Sequence, residues 1–317
     1  MKAFMQKQVS RLPAKSSYWL YHQIMRWSGA YKVFYDPTEN FKLSRNIFET
    51  VSQFNDDARD KTFLEIGTGR VISTPIGLWL LGAQRITTID INPFLREEVI
   101  LKSIDYIRRN RVEIEKLFGE HAKNQYFKKR LKLLISAPKS LSEIFKLTNI
   151  EYLCPVEGTS LPLGNNSVDV YYSTSVLEHI PPNIIKDILS EAKRILSDDG
   201  LIVHFIHLAD HFGPLPQEYC GDPSISTVNF LQFSEEQWKI LAGNRFSYHN
   251  RLRAYEFNDL FKTSGIQFLD FKKIVDHSAL NFLSNSSTFQ LNHRFMNHSP
   301  EELSIAKLYF VGKFCIA

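Results

Sequence analysis

Thr62-Phe63-Leu64-Glu65-Ile66-Gly67-Thr68-Gly69-Arg70 is the stretch on which the reading of the whole chain turns. A short apolar run that stops at two closely spaced glycines predicts a buried strand turning sharply beside a ligand. Glycine takes positive φ at little cost and lets a bound molecule approach the backbone. Ser73 to Leu81 then predicts a helix packed on a sheet, and Ile86 to Ile89, closed by Asp90, predicts a second strand. Strand, glycine turn, helix, strand, acid is the first βαβ unit of a nucleotide-binding fold.

Taken alone, Gly67-Thr68-Gly69 is weak evidence, because any strand-to-helix turn can use glycine. Two neighbours sharpen it. Glu65 places a carboxylate where it reaches the ammonium of an amino-acid moiety, an acid that a dinucleotide does not need. Ile72 stands where a G-x-G-x-x-G pattern requires its third glycine, so the turn suits a cofactor without phosphates. Asp90 is placed to accept both hydroxyls of a ribose; the alternative is an ordinary helix N-cap before Ile91-Asn92-Pro93.

Further along, Val168 to Ser173 and Leu201 to Ile206 predict strands. Between them Ile184, Ile185, Ile188, Leu189, Ala192, Ile195 and Leu196 fall on one helical face, with Pro182 before it and Asp198-Asp199-Gly200 ending it. Ile266 to Phe271 and Lys307 to Phe314 would add the last strands. The expected fold is α/β: a Rossmann-like, doubly wound, mostly parallel sheet with helical insertions and an N-terminal helical segment. Residues 16–35 mix aromatic rings with single basic residues at helical spacing, as one amphipathic helix or two short ones; the plain reading is a helix packed over the core, and the sharper alternative is a surface that touches anionic lipid or a lipid-linked substrate.

Composition narrows the function classes. The chain has 317 residues, 44% hydrophobic and 23% charged, which is ordinary for a globular protein and argues against extensive disorder. Apolar runs such as Ile76 to Ala83 are too short to span a bilayer, and no signal-peptide core precedes a small-residue cleavage site, so a cytoplasmic location is expected. Cys154, Cys220 and Cys315 are widely separated and odd in number, so neither a disulfide framework nor a thiolate metal site is expected. The net charge of +4 is uneven: residues 1–35 hold six Lys or Arg and no acid, and residues 102–132 hold ten against four acids.

The residues from Glu65 to Gly69 and Asp90 resemble the glycine turn and second-strand acid of the class I S-adenosylmethionine-dependent methyltransferases. Val156 to Leu163, Asn166 to Val170 and Ser173 to Ile180 resemble, in order, that family's third-loop, fourth-strand and post-strand motifs. The resemblance covers roughly residues 60–208. It implies S-adenosyl-L-methionine as cofactor, with Glu65, Gly67 and Gly69 holding the methionine part, Asp90 and Ile91 the ribose, Glu157 and Gly158 the adenine edge, and Ser173 the sulfonium side. The sequence departs from the family at Val71, where a third glycine is common, and at Glu157, where Asp is common. The expected organisation is a helical, basic-aromatic extension over 1–58 and a methyltransferase domain over 59–317, with a helical lid inserted at about 95–150 and an acceptor-side excursion at 210–261.

Methyl transfer from a sulfonium draws much of its acceleration from alignment. A hydroxyl acceptor also benefits from a base near neutral pH, usually histidine. His179, after the fourth strand, and His207, Asp210 and His211, past the fifth, are the catalytic candidates; a structural, hydrogen-bonded histidine is the competing reading for each, and the one adopted for His204. Asp210-His211 lacks a third ligand, so no metal site is expected. Arg251 and Arg253 are candidates to clamp a carboxylate or phosphate of the acceptor, against a surface salt-bridge pair with Glu256 or Asp259. The expected acceptor is a small molecule or glycan, methylated at oxygen and in one version anionic or lipid-linked. A nucleic-acid acceptor is disfavoured because Ser173-Thr174-Ser175-Val176 replaces the N-P-P-Y-like motif of base-amine methyltransferases. A non-catalytic binding protein is disfavoured by the intact Glu65, Gly67, Gly69 and Asp90, and a nicotinamide oxidoreductase by Glu65 and Ile72. Oligomeric state has no signature in the sequence.

Overall fold

A computed structural model describes residues 8–55, 57–136, 139–213, 222, 224–243 and 248–315. Its strands are β1 (Thr62–Ile66), β2 (Arg85–Ile89), β3 (Ile150–Leu153), β4 (Val168–Thr174), β5 (Leu196–His207), β6 (Ile266–Val275) and β7 (Ile305–Phe314). They form one sheet in the order β3-β2-β1-β4-β5-β7-β6. β1 pairs in parallel with β2 and with β4, β2 pairs in parallel with β3, and β6 and β7 are antiparallel. The chain steps outward from β1 through β2 and β3, then resumes on the other side with β4. A doubly wound sheet places its ligand at that reversal, outside the carboxyl ends of β1 and β4. The expected α/β class is therefore the observed one.

By its internal packing the chain divides into two compact units, Ser28–Ser173 with Ile188–Val203, and Met1–Trp27 with Thr174–Asp187 and His204–Cys315. In the first unit, β1 is buried from Phe63 to Ile66 with no alternation, as a central parallel strand should be. The helix Ser73–Leu81 is buried on every side. The helix Thr38–Phe54 covers it, burying Phe41, Ser44, Ile47, Phe48 and Val51 at three- and four-residue spacing. Close approach depends on Gly77, where an added Cβ would lie 2.3 Å from Ser44 Oγ. Ser44 Oγ donates across the contact to Thr74 O at 3.0 Å.

The insertion expected at about 95–150 is occupied by the helices Glu97–Arg109, Arg111–Leu117, Gln125–Ser136 and Leu141–Thr148. The first opens on Glu97 and Glu98 and closes on Arg108 and Arg109, complementing the helix dipole at both ends. The last two helices are separated by a break after Ser136, with residues 137–138 outside those described. Four strands differ from expectation. β3 was not anticipated, because four residues with a single fully buried position carry no period. β5 starts at Leu196, upstream of Asp198-Asp199-Gly200 rather than after it. β6 and β7 extend to Val275 and back to Ile305, their pairing carried through a register shift between Ile274 and Val275.

In the second unit, the excursion after β5 builds its own apolar cluster, in which Val228, Phe230, Leu231 and Trp238 pack with Ala279, Phe295 and Leu303. The helix Glu235–Ala242 enters it through a capping box between Ser234 and Gln237. The N-terminal segment forms the helix Ala14–Trp27, and the first unit opens with a short 3-10 turn, Ala30–Phe34. Among the described residues no helix is long and apolar enough to cross a membrane. Cys220 lies outside the described residues.

Candidate functional site

At the end of β1 the chain turns back over the end of β2: the N–H groups of Gly67 and Thr68 both donate to Ile89 O, at 2.8 and 3.0 Å. Gly67 and Gly69 take φ of 83° and 64°, the left-handed region in which a side chain is strained. A Cβ built on Gly69 would meet nothing within 4 Å, so the backbone there borders open space. Asp90 closes the turn from β2. Its Oδ2 accepts from Gly69 N and its Oδ1 from Asn92 N, each at 2.8 Å. Burial raises its pKa, partly offset by those two N–H groups and the Arg70 charge. Each oxygen retains a second lone pair.

Glu65 is buried, and its Oε2 accepts from Thr88 Oγ1 at 2.5 Å, while Thr88 and Thr68 hydroxyls lie 2.6 Å apart. Burial pushes the Glu65 carboxyl up to about 8, against the Thr88 and Tyr172 hydroxyls that lower it, and the Asp90 charge raises it further. Such a carboxyl calls for a cation, and an amino-acid ammonium is one. Val156 N donates to Asp90 O at 3.0 Å, which lays Val156-Glu157-Gly158 alongside Asp90-Ile91. Gly158 is buried against Ile188, while Glu157 and Ile91 are exposed, Ile91 to 59%. Ser173, fully buried, stands opposite Ile66 in the β1–β4 register. All eight expected cofactor residues belong to the first unit. Thr88, Tyr172 and Arg70 went unnoticed in the sequence; Arg70 lies over the rings of Phe34 and Phe94 at 5.5 and 4.9 Å.

The second unit gathers the histidines. Leu177–His179 is a 3-10 turn held by Asn250, whose Nδ2 donates to Leu177 O and Ile180 O at 2.7 and 2.8 Å and whose N–H donates to Glu178 O at 2.8 Å. His179 Nδ1 lies 2.7 Å from Tyr248 O, so Nδ1 carries a proton, and in the neutral ring the lone pair is on Nε2. Ring centroids are 4.9 Å apart for His179 and His211, 5.3 Å for His207 and His211, and 4.6 Å for His211 and His249. His207 Nδ1 stands 3.2 Å from His211 Nε2. Burial drives His207 down to about 4 and raises Glu178 to about 8. His249, fully buried, was missed by the sequence reading because it sits in irregular chain with no periodicity. His204 is buried in the core, its ring nearly parallel to those of Phe261 and Phe310 at 5.8 and 6.3 Å.

Asp210 is apart from this group in role. Its Oδ1 accepts from Phe212 N at 2.8 Å and shapes the loop, and burial raises it to about 6. Arg251 and Arg253 correct the expectation of an acceptor clamp, for both are 1% exposed and their Nη donors are spent on the protein, Nε of each being buried without a partner. Arg251 Nη1 donates to Phe230 O and Phe233 O, and Nη2 to Glu235. Arg253 donates to Leu208 O, Leu303 O and Ile305 O. These arginines satisfy carbonyls of a buried loop, which would otherwise be costly. The basic segment is also engaged internally: Arg108 and Arg109 pair with Asp105, Arg111 pairs with Glu115, and Arg130 donates to Trp79 O and Ala83 O.

Residues 132–204 match a family model described as a methyltransferase domain. That span runs from the insertion through β4 into β5, so the glycine turn lies outside it. No curated protein matches the sequence. Among solved structures, a geranyl diphosphate C-methyltransferase from Streptomyces coelicolor A3(2), complexed with Mg2+, geranyl diphosphate and S-adenosyl-L-homocysteine, is similar over 85% of this chain and 79% of its own, with 11% identity and a TM-score of 0.44. A SAM-dependent methyltransferase from Methanosarcina mazei is similar over 82% and 94%, with 14% identity and a TM-score of 0.41. The [4+2]-cyclase SpnF is similar over 86% and 82%, with 12% identity and a TM-score of 0.43. Likeness at this level says nothing about acceptor or chemistry. Residues 132–204 are thus similar to a methyltransferase domain, and they lie on a doubly wound α/β sheet.

Proposed function

We propose that this enzyme methylates a hydroxyl oxygen of a small-molecule or saccharide acceptor, with the cofactor at the glycine turn and the acceptor at the histidine cluster. When bound, the cofactor supplies a methyl group on a sulfonium, ready for in-line displacement. Glu65, Gly67 and Gly69 hold the amino-acid end, Asp90 and Ile91 the ribose, Glu157 and Gly158 the adenine edge, and Ser173 the sulfonium side. The observation that carries the acceptor assignment is the fixed tautomer of His179, whose Nδ1 is committed to Tyr248 O at 2.7 Å. An imidazole held this way offers an electron pair to whatever binds beside it, which a hydroxyl acceptor uses and a sulfonium does not.

His179→Ala and His211→Ala are each expected to lower kcat by about a hundredfold or more on any hydroxylated acceptor, the scale of lost proton transfer. S-adenosylhomocysteine affinity should stay within about threefold of the parent. The measurement is methyl transfer to a panel of saccharides and hydroxylated small molecules, followed by S-adenosylhomocysteine release. Transfer confined to amine acceptors, or full kcat in both variants, would overturn the assignment.

The N-terminal helix favours an acceptor presented at a lipid surface. One face of Ala14–Trp27 carries Trp19 and Trp27, 62% and 76% exposed, beside Lys15 and Arg26. Indole rings flanked by cations suit an anionic membrane interface. The protein is expected to co-sediment with vesicles containing anionic phospholipid and not with neutral ones, and Trp19→Ala with Trp27→Ala should abolish that; equal sedimentation of the variant would remove the helix from this role.

A further inference from the structure

We propose that Glu178, His179 and His211 form a binding site for a divalent transition ion of the zinc class. One ligand atom from each of the three lies within 4.8 Å of the other two. Ligands of a single zinc ion at about 2.0–2.2 Å stand roughly 3–4 Å apart, so small side-chain rotations close the set. This set is invisible in the sequence, because Asp210-His211 lacks a third ligand in its own neighbourhood. Glu178 and His179 come from the turn after β4, more than thirty residues earlier.

Three independent observations point to a cation. Glu178 is fully buried, and while its Oε1 accepts from His207 N at 3.3 Å, its Oε2 has no hydrogen-bond partner. A buried carboxylate oxygen without a donor is expensive, and such orphans mark the place of a missing ion or water. His179 Nδ1 is held by Tyr248 O, the outer contact that orients metal-binding imidazoles and leaves Nε2 for the metal. His211 Nε2 approaches His207 Nδ1 to 3.2 Å, close to the separation of two nitrogens on one tetrahedral ion. His207 therefore stands beside the site as a neighbour able to join it.

The ligand chemistry selects the ion. Two imidazoles and one carboxylate are a nitrogen-rich set that zinc, cobalt and their neighbours accept, whereas magnesium and calcium require oxygen. Three protein ligands leave a position open, which is the arrangement of catalytic rather than structural zinc. Beside it His249 is buried, with Nδ1 accepting from Arg251 N at 3.3 Å, so its proton is on Nε2, an atom with no partner. That N–H is a donor for an oxygen ligand of the ion.

The catalytic use rests on the oxygen-methylation reading above; the binding does not. A hydroxyl of the acceptor in the open position loses its proton more readily, and that proton leaves to solvent. The carbon–oxygen bond then forms as the carbon–sulfur bond breaks, giving the methyl ether and S-adenosylhomocysteine. With an ion present, His179 and His211 act by holding it rather than by taking the proton themselves.

The test is titration of chelator-stripped full-length protein with Zn2+ by calorimetry and with Co2+ by visible absorption. One equivalent should bind with micromolar or tighter affinity, and Co2+ should give the intense visible bands of four- or five-coordination. His211→Ala and Glu178→Gln should each weaken binding at least thirtyfold, and His277→Ala, at an exposed helix start, should not. Unchanged S-adenosylhomocysteine affinity would show that the variants are folded. Absence of saturable Zn2+ and Co2+ uptake by the parent, uptake unaltered in His211→Ala, or binding of Mg2+ alone would overturn the proposal. Zn2+ binding without methylation of any hydroxyl would leave the site standing and remove the acceptor reading; the converse result would do the reverse.

Discussion

Asp90→Ala should lose S-adenosylhomocysteine affinity by at least two orders of magnitude. The carboxylate is buried at the end of β2, and each oxygen already accepts one backbone N–H, from Gly69 and from Asn92 at 2.8 Å. Its remaining lone pairs are the acceptors assigned to the two ribose hydroxyls. Hydrogen bonds to a charged group contribute about 1.5–3 kcal/mol each, so losing two costs roughly 3–6 kcal/mol, a hundredfold or more in Kd. The glycine turn would also lose the acceptor that fixes Gly69. Asp90→Asn keeps one carbonyl oxygen for that role and should fall between parent and alanine variant. Calorimetry decides it: an alanine variant within threefold of the parent would move the ribose elsewhere.

Glu65→Gln should weaken cofactor binding while making the cofactor-free protein more stable. In the folded chain the carboxyl is pushed up to about 8 by burial, with the Thr88 and Tyr172 hydroxyls opposing. Unfolded, it ionises near about 4.3. Its folded pKa is thus raised, so folding takes up a proton between those values. The stability contribution is complete at low pH and is lost as pH rises through about 8. Glutamine carries no such penalty. The melting temperature of the variant should therefore exceed that of the parent by several degrees at pH 7–8, with the gap widening from pH 5 to 8.

Binding follows the opposite logic, because the cofactor's ammonium requires the ionised carboxyl. Parent affinity should rise by up to tenfold per pH unit on approaching about 8. It should fall beyond that as the ligand's amino group, with a pKa of roughly 7.7–8.0, loses its proton. The acid limb should be absent in Glu65→Gln. A variant with parent affinity, or a parent profile flat from pH 6 to 8, would take Glu65 out of the ammonium site.

The parts of the fold visible in the sequence are those whose burial is continuous or periodic. β1 and the helix Ser73–Leu81 appear at the expected residues because a fully buried strand and an all-apolar helix leave uninterrupted runs between turn signals. β3 does not, since four residues at the sheet edge carry neither a run nor a period. The cofactor turn was legible because its chemistry is local: two glycines and an acid within five residues. The histidine cluster was legible only in fragments, for its imidazoles come from residues 179, 207, 211 and 249, and irregular chain around His249 gives no sign that it folds back.

Arg251 and Arg253 show the same limit from the other side. Alternating arginines in non-helical chain look like an exposed clamp, and nothing local distinguishes them from a pair that turns inward to buried carbonyls. Glu178 had the reverse fate, passing as part of a motif while standing buried with an orphaned oxygen. In both cases the deciding quantity is which polar atoms the fold buries, and that depends on segments far apart in the chain.

Titration calorimetry of the parent protein with S-adenosylmethionine, S-adenosylhomocysteine and NADH tests the cofactor without knowledge of the acceptor. The expected result is micromolar binding of both sulfur nucleosides, strongest near pH 8, and none of NADH, since the glycine turn lacks the third glycine of a dinucleotide site. Binding of NADH, or failure of both sulfur nucleosides to bind, would contradict it.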